Sequence, residues 1–134
     1  WVNETLHGQM NIRLFSINNT IFMLILIGFC VLVFKKRNTV SVLLLFAWVS
    51  GKQFWNFVFH LYAQFKFDAY SPGSLTGIFL YFPIYAGMTY IALKEKYIKW
   101  YLWLLCFIIG LIGMGLTIWG GLYRFEKLPL EKWI

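Results

Sequence analysis

From Ser16 to Phe34 the chain reads SINNTIFMLILIGFCVLVF, a stretch without one charged side chain. A helix of about 20 residues, rising ~1.5 Å per residue, matches the ~30 Å hydrocarbon thickness of a bilayer. A segment this apolar cannot supply the outer face of a water-soluble fold, and three comparable segments follow. Lys35, Lys36 and Arg37 stop the first, and the others are predicted over about 39–66, 74–93 and 98–123. Only 13% of the residues are charged, against roughly a quarter in ordinary globular chains, and the mean hydropathy is +0.68. The predicted fold class is therefore all-α: a polytopic transmembrane helical bundle with four spans, residues 1–134 forming a single transmembrane domain. Its first partner is the lipid bilayer.

Twelve Lys and Arg against five Asp and Glu give a net charge of +7. These cations gather at the ends of apolar runs rather than along a stripe that could follow phosphates, so they read as topology signals and exclude a nucleic-acid partner. Lys35, Lys36 and Arg37 occupy the first connection and Lys94, Lys96 and Lys99 the third, whereas the second has only Lys66. The cation-rich connections are expected on the cytoplasmic side. That places the lead-in Trp1–Phe15, the second connection and the mixed tail outside, and the expected location is a bacterial cytoplasmic (inner) membrane. Tyr97, Trp100 and Tyr101 at one end of the last span, and Trp119 and Tyr123 at the other, fit interfacial aromatic belts.

The second span carries the anomaly. Lys52, Asn56, His60 and Gln64, with Gln53 beside them, recur at helical spacing, each step advancing about 40° around the axis, so they form a polar stripe roughly 18 Å long. Ser50-Gly51-Lys52-Gln53 interrupts the middle of this span, which is long enough to need a tilt or bend. Polar groups in hydrocarbon are costly unless they pair, face the bundle interior or line water. Two main readings stand: a hydrogen-bonded seam between helices, or a functional cavity; a snorkelling lysine is the third. His60 has a neutral form able to ligate a metal or relay a proton. One imidazole is short of the three ligands of a catalytic zinc, and no Asp or Glu falls inside the spans. Nucleophile constellations, Gly-rich phosphate loops and CxxC pairs are absent as well.

The second connection, Asp68-Ala69-Tyr70-Ser71-Pro72-Gly73, is a turn in which Pro72 fixes φ and Gly73 permits a positive one, as type II requires. Tyr70 is expected to reach back toward His60. Gly73 and Gly77 form a GxxxG face that lets the third span approach the second, and Pro83 should kink the third. Gly110, Gly113, Thr117, Gly120 and Gly121 make a small-residue seam on the fourth. Cys30 and Cys106 lie mid-span as small apolar groups. Asn3-Glu4-Thr5 and Asn18-Asn19-Thr20 match glycosylation sequons, triplets that also arise by chance.

Asn56-Phe57-Val58-Phe59-His60, then Tyr70-Ser71-Pro72-Gly73, then Thr76 and a span containing Phe82-Pro83, together resemble the HXXEE domain family of integral membrane proteins. That family is named for a His-x-x-Glu-Glu motif near its amino end and has a further histidine and a Tyr-x-Pro-Gly motif. The resemblance implies that His60 is the further histidine and that Tyr70, Pro72 and Gly73 are the family's turn. His-x-x-Glu-Glu itself does not occur here, since His7 is followed by Gly8-Gln9-Met10-Asn11; the motif is expected to lie upstream of Trp1. Conserved His and Glu in a membrane suggest an enzyme. The leading expectation is a metal-assisted hydrolytic or oxidative enzyme acting on a lipid-soluble or amphipathic substrate, with His60 as metal ligand or base, Asn56 orienting it and Lys52 on the same face. The alternative is a small noncatalytic subunit packing against other subunits of a larger membrane protein complex. A transporter half or proton relay comes third. These residues name no cofactor.

The loop-charge bias generates a direct test. Replaced singly by Cys, Arg37 and Lys96 should be protected from an impermeant thiol reagent in right-side-out vesicles, and Asp68 should be labelled. The reverse pattern would overturn the orientation.

Overall fold

The computed structural model describes residues 12–120. Among them the fold is all-α, with four helices long and apolar enough to cross a membrane. Helix α1 is Ile12–Lys35, α2 is Thr39–Phe67, α3 is Ser74–Lys94 and α4 is Trp100–Ile118. His7, the first sequon, Tyr123 and the charged tail lie outside the described residues.

Each boundary has a local cause. Helix α1 begins before the expected Ser16 because its polar residues bond back along the helix: Ser16 Oγ donates to Ile12 O at 2.9 Å and Thr20 Oγ1 to Ser16 O at 2.8 Å. The Asn18-Asn19-Thr20 triplet is therefore helical. Asn38 caps α2 by accepting from Ser41 N at 2.9 Å, satisfying one of the unpaired N–H groups of a helix start. At the other end of α2, Asp68 adopts a left-handed conformation with φ 47°, which turns the chain out of the helix.

Two wide π-turn segments break the regularity of the central helices. One, Ser50–Trp55, sits in the middle of α2, where the sequence predicts an interruption. Here Gly51 meets Gly110 of α4 backbone to backbone: a Cβ on Gly51 would lie 3.0 Å from Gly110 O, and one on Gly110 would lie 2.6 Å from Gly51 N. The other segment, Gly77–Tyr81, immediately precedes Phe82-Pro83 in α3. Pro83 has no N–H to donate, and its ring clashes with the carbonyl four residues back in a regular helix; the wide turn supplies the room, so the expected irregularity takes the form of a π-bulge.

Helix α2 is the centre of the bundle and touches each of the other three. Its core residues Val42, Leu45, Phe46 and Val49 pack with Tyr85 of α3, Cys106 of α4 and Ile98 between them. Ser50 and Tyr85 share a buried hydrogen bond of 2.8 Å. The indole of Trp55 donates to Phe107 O at 2.9 Å, and Phe107 stacks on Trp103. Helix α1 packs less deeply, with Phe22 and Phe29 edge-on to Trp48 of α2. Arg37 and Tyr97 line one shared cavity, so the two cation-rich connections lie at the same end of the bundle, as the charge pattern requires.

Gly110→Ala should lower stability in detergent by about 1–3 kcal/mol, the usual cost of overpacking. Gly113→Ala, whose added carbon meets nothing within 4 Å, should leave stability unchanged or raise it by up to ~1 kcal/mol through helix propensity. Thermal melts of the two variants check the contrast; equal melting temperatures would contradict the crossing.

Candidate functional site

The polar stripe on α2 divides into two groups with different surroundings. Toward its carboxyl end, His60 and Gln64 face the turn between α2 and α3. His60 Nδ1 and Ser71 Oγ are 2.6 Å apart, and the Gln64 side-chain oxygen accepts from Ser71 N at 3.3 Å. Ser71 is fully buried, so two side chains of α2 grip one residue of the turn from beneath. In the turn itself, Ser74 N donates to Ser71 O at 3.1 Å and Gly73 has φ 101° and ψ −14°. This is the type II geometry expected for Pro72-Gly73.

The glycines of this turn set the approach of α3. The His60 ring lies against Gly73, its Nε2 3.6 Å from where a Cβ would stand. Gly77 is still more confined, because a Cβ there would overlap the Phe57 ring. The GxxxG face therefore packs on α2 as the sequence predicts. Ser71 reaches the imidazole; Tyr70, expected to do so, is 58% exposed. Pro72 and Thr76 are exposed too, and serve the turn and the first turn of α3. Ser74 Oγ is buried without a hydrogen-bond partner, leaving an unpaired hydroxyl one residue beyond the glycine that touches His60.

The second group, Lys52, Gln53 and Asn56, lines a separate cavity of about 150 Å³ with Asn19, Phe22, Trp48, Tyr81 and Thr117 among its walls. Asn56 thus belongs to this cavity, and Ser71 is the side chain placed to orient His60. Lys52 Nζ donates to Thr117 Oγ1 at 2.8 Å and lies 4.0 Å from the centre of the Phe22 ring, a cation–π distance. Thr117 passes the bond on to Gly113 O at 2.8 Å. Sequence spacing identifies the α2 side of this cavity but not Asn19 or Thr117, which lie on other helices. The only signal for them is that they too are polar residues in apolar runs.

No group of three or more His, Cys, Asp or Glu side chains that could hold a metal comes together among the described residues. Their donor set does not fit a metal centre, and the chemistry available here is that of an imidazole, a serine hydroxyl and a side-chain amide. Ser71 can donate or accept. When it donates to Nδ1, the proton of the neutral imidazole resides on Nε2; when it accepts, Nε2 carries the lone pair. The pairing therefore couples the tautomer of His60 to the orientation of the Ser71 hydroxyl.

A small membrane bundle with a histidine seated beneath a Tyr-x-Pro-Gly turn is the class these features define. Residues 2–88 match the family described as "Protein of unknown function with HXXEE motif", and the chain belongs to that family. No curated protein and no solved structure matches it.

Gly73→Val should destabilise the bundle by about 1–3 kcal/mol, the cost of holding a β-branched residue in a left-handed conformation. Gly87→Ala on α3, where an added carbon meets nothing within 4 Å, is the control. Melting temperatures that fall equally, or not at all, would remove the turn from its structural role.

Proposed function

We propose that the protein is an integral membrane enzyme of a bacterial cytoplasmic membrane, using His60 as the acid–base group in a reaction on a lipid-soluble substrate. The 2.6 Å pairing of His60 Nδ1 with the buried Ser71 hydroxyl carries this reading. A side chain needed only for bulk has no use for a partner that can both donate and accept, whereas a general acid–base group needs its other ring nitrogen held in a defined state. The unpartnered Ser74 hydroxyl beside the turn supplies a further donor for a bound molecule. Hydrolysis with His60 as general base is the simplest reaction this set supports.

A second reading, a noncatalytic subunit of a larger membrane complex, draws on one observation. Gly28 on α1 and Gly113 and Gly115 on α4 have nothing within 4 Å of an added carbon, leaving smooth surfaces on which another helix could pack.

Lipid-extract profiling of membranes from cells expressing wild type or His60→Gln separates the two. An enzyme alters the profile only in the wild type, while the variant melts within a few degrees of it. Identical profiles, together with a destabilised variant, would overturn the catalytic reading and leave the subunit.

A further inference from the structure

Lys52 stands near the middle of α2, a helix of 29 residues from Thr39 to Phe67, and its ammonium reaches between α1 and α4 toward the carboxyl end of α4. Among the described residues the acidic side chains are Asp68 and Glu95, both in connections outside the spans. The partners of Lys52 are a neutral hydroxyl and the rings of Phe22 and Trp48; among the described residues no carboxylate neutralises it. Three primary amides, those of Asn19, Gln53 and Asn56, line the same cavity. Asn19 is exposed and Gln53 and Asn56 are half-buried, so these amides are accessible to a molecule entering the cavity. One cation and three amides therefore line one space in which no acidic side chain of the described residues balances the charge.

A second cavity of about 260 Å³ adjoins the first and shares Lys52 and Trp48 with it. Its other walls are Phe29, Leu44, Ala47, Gly51, Ile109, Gly110 and Gly113, with almost no polar surface. It runs from Lys52 toward the end of the bundle that carries the connection between α1 and α2. We infer that the two cavities form one binding site for a long-chain monocarboxylate, its carboxylate on Lys52 and the amides and its hydrocarbon chain along the Gly110–Gly113 groove. The head cavity holds about five waters' worth of volume at ~30 Å³ each, enough for a carboxylate and its hydrogen-bonding shell. This site involves neither His60 nor Ser71, so it stands or falls apart from the acid–base reading.

The test is equilibrium binding of carboxyl-13C-labelled laurate and of dodecanol to the full chain in zwitterionic nanodiscs, with empty nanodiscs subtracted. Laurate should bind saturably and at least tenfold more tightly than dodecanol. Lys52→Met should reduce laurate affinity at least tenfold while leaving dodecanol unchanged, and Gln53→Leu, which keeps the charge, should weaken laurate by a smaller factor. Equal affinities for laurate and dodecanol in the wild type would overturn the proposal, as would undiminished laurate binding by Lys52→Met. Tighter binding of dodecyl phosphate than of laurate would overturn the carboxylate assignment. Should Lys52→Met fail to fold, the wild-type comparison of laurate with dodecanol decides alone.

Discussion

Gly51 and Gly110 meet without side chains between them, and much of the bundle's arrangement depends on that contact. Two helices can approach so closely only where both lack a Cβ, and lipid gives no hydrophobic push to bring them together. The association has to come from packing and from hydrogen bonds made at short range. Trp55 to Phe107 is such a bond between α2 and α4, and Ser50 to Tyr85 ties the same stretch of α2 to α3. The π-turn Ser50–Trp55 lies at the same place. It widens α2 where α4 presses on it, and Lys52 and Gln53 leave this turn toward a cavity rather than toward lipid.

The polar stripe then makes physical sense as two devices on one helix. At the turn, a type II geometry set by Pro72 and Gly73 lowers Ser71 onto His60 and Gln64, so the imidazole is oriented by backbone structure as much as by a side chain. Midway along α2, Lys52 is held through Thr117 to the α4 backbone and over the Phe22 ring of α1. Each device joins α2 to other parts of the chain, the first to the turn before α3 and the second to α1 and α4. Both belong to a helix that touches all the others, so polar chemistry and architecture are set by the same residues.

Helix number and the turn were legible in the sequence because they follow from local rules. An uncharged run has to span, a cation-rich connection has to stop, and Pro-Gly sets two successive φ values. The Gly73–Gly77 face was legible too, since small residues four apart share one side of a helix. Partners across helices were not. Spacing along α2 groups Lys52, Asn56 and His60, but a π-turn and the end of the helix give them different neighbours. Nothing local to Tyr70 or Ser71 says which of the two points inward; the φ values of Pro72 and Gly73 decide it. Thr117 reads as one member of a small-residue seam until α4 is laid against α2. Ile12–Phe15 read as lead-in because Arg13 and Ser16 are polar, while back-bonding by Ser16 extends the helix through them.

The central claim is the close crossing of α2 and α4, and a distance across it tests that claim most directly. With only eleven glycines in the chain, uniform 13C-glycine labelling gives a sparse solid-state spectrum in bilayers. The Gly110 Cα lies 3.3 Å from where a Gly51 Cβ would be, so dipolar recoupling should yield a strong Gly51–Gly110 cross peak, assigned by its loss when either residue is replaced by serine. A spectrum in which glycine cross peaks join sequence neighbours alone would contradict the account.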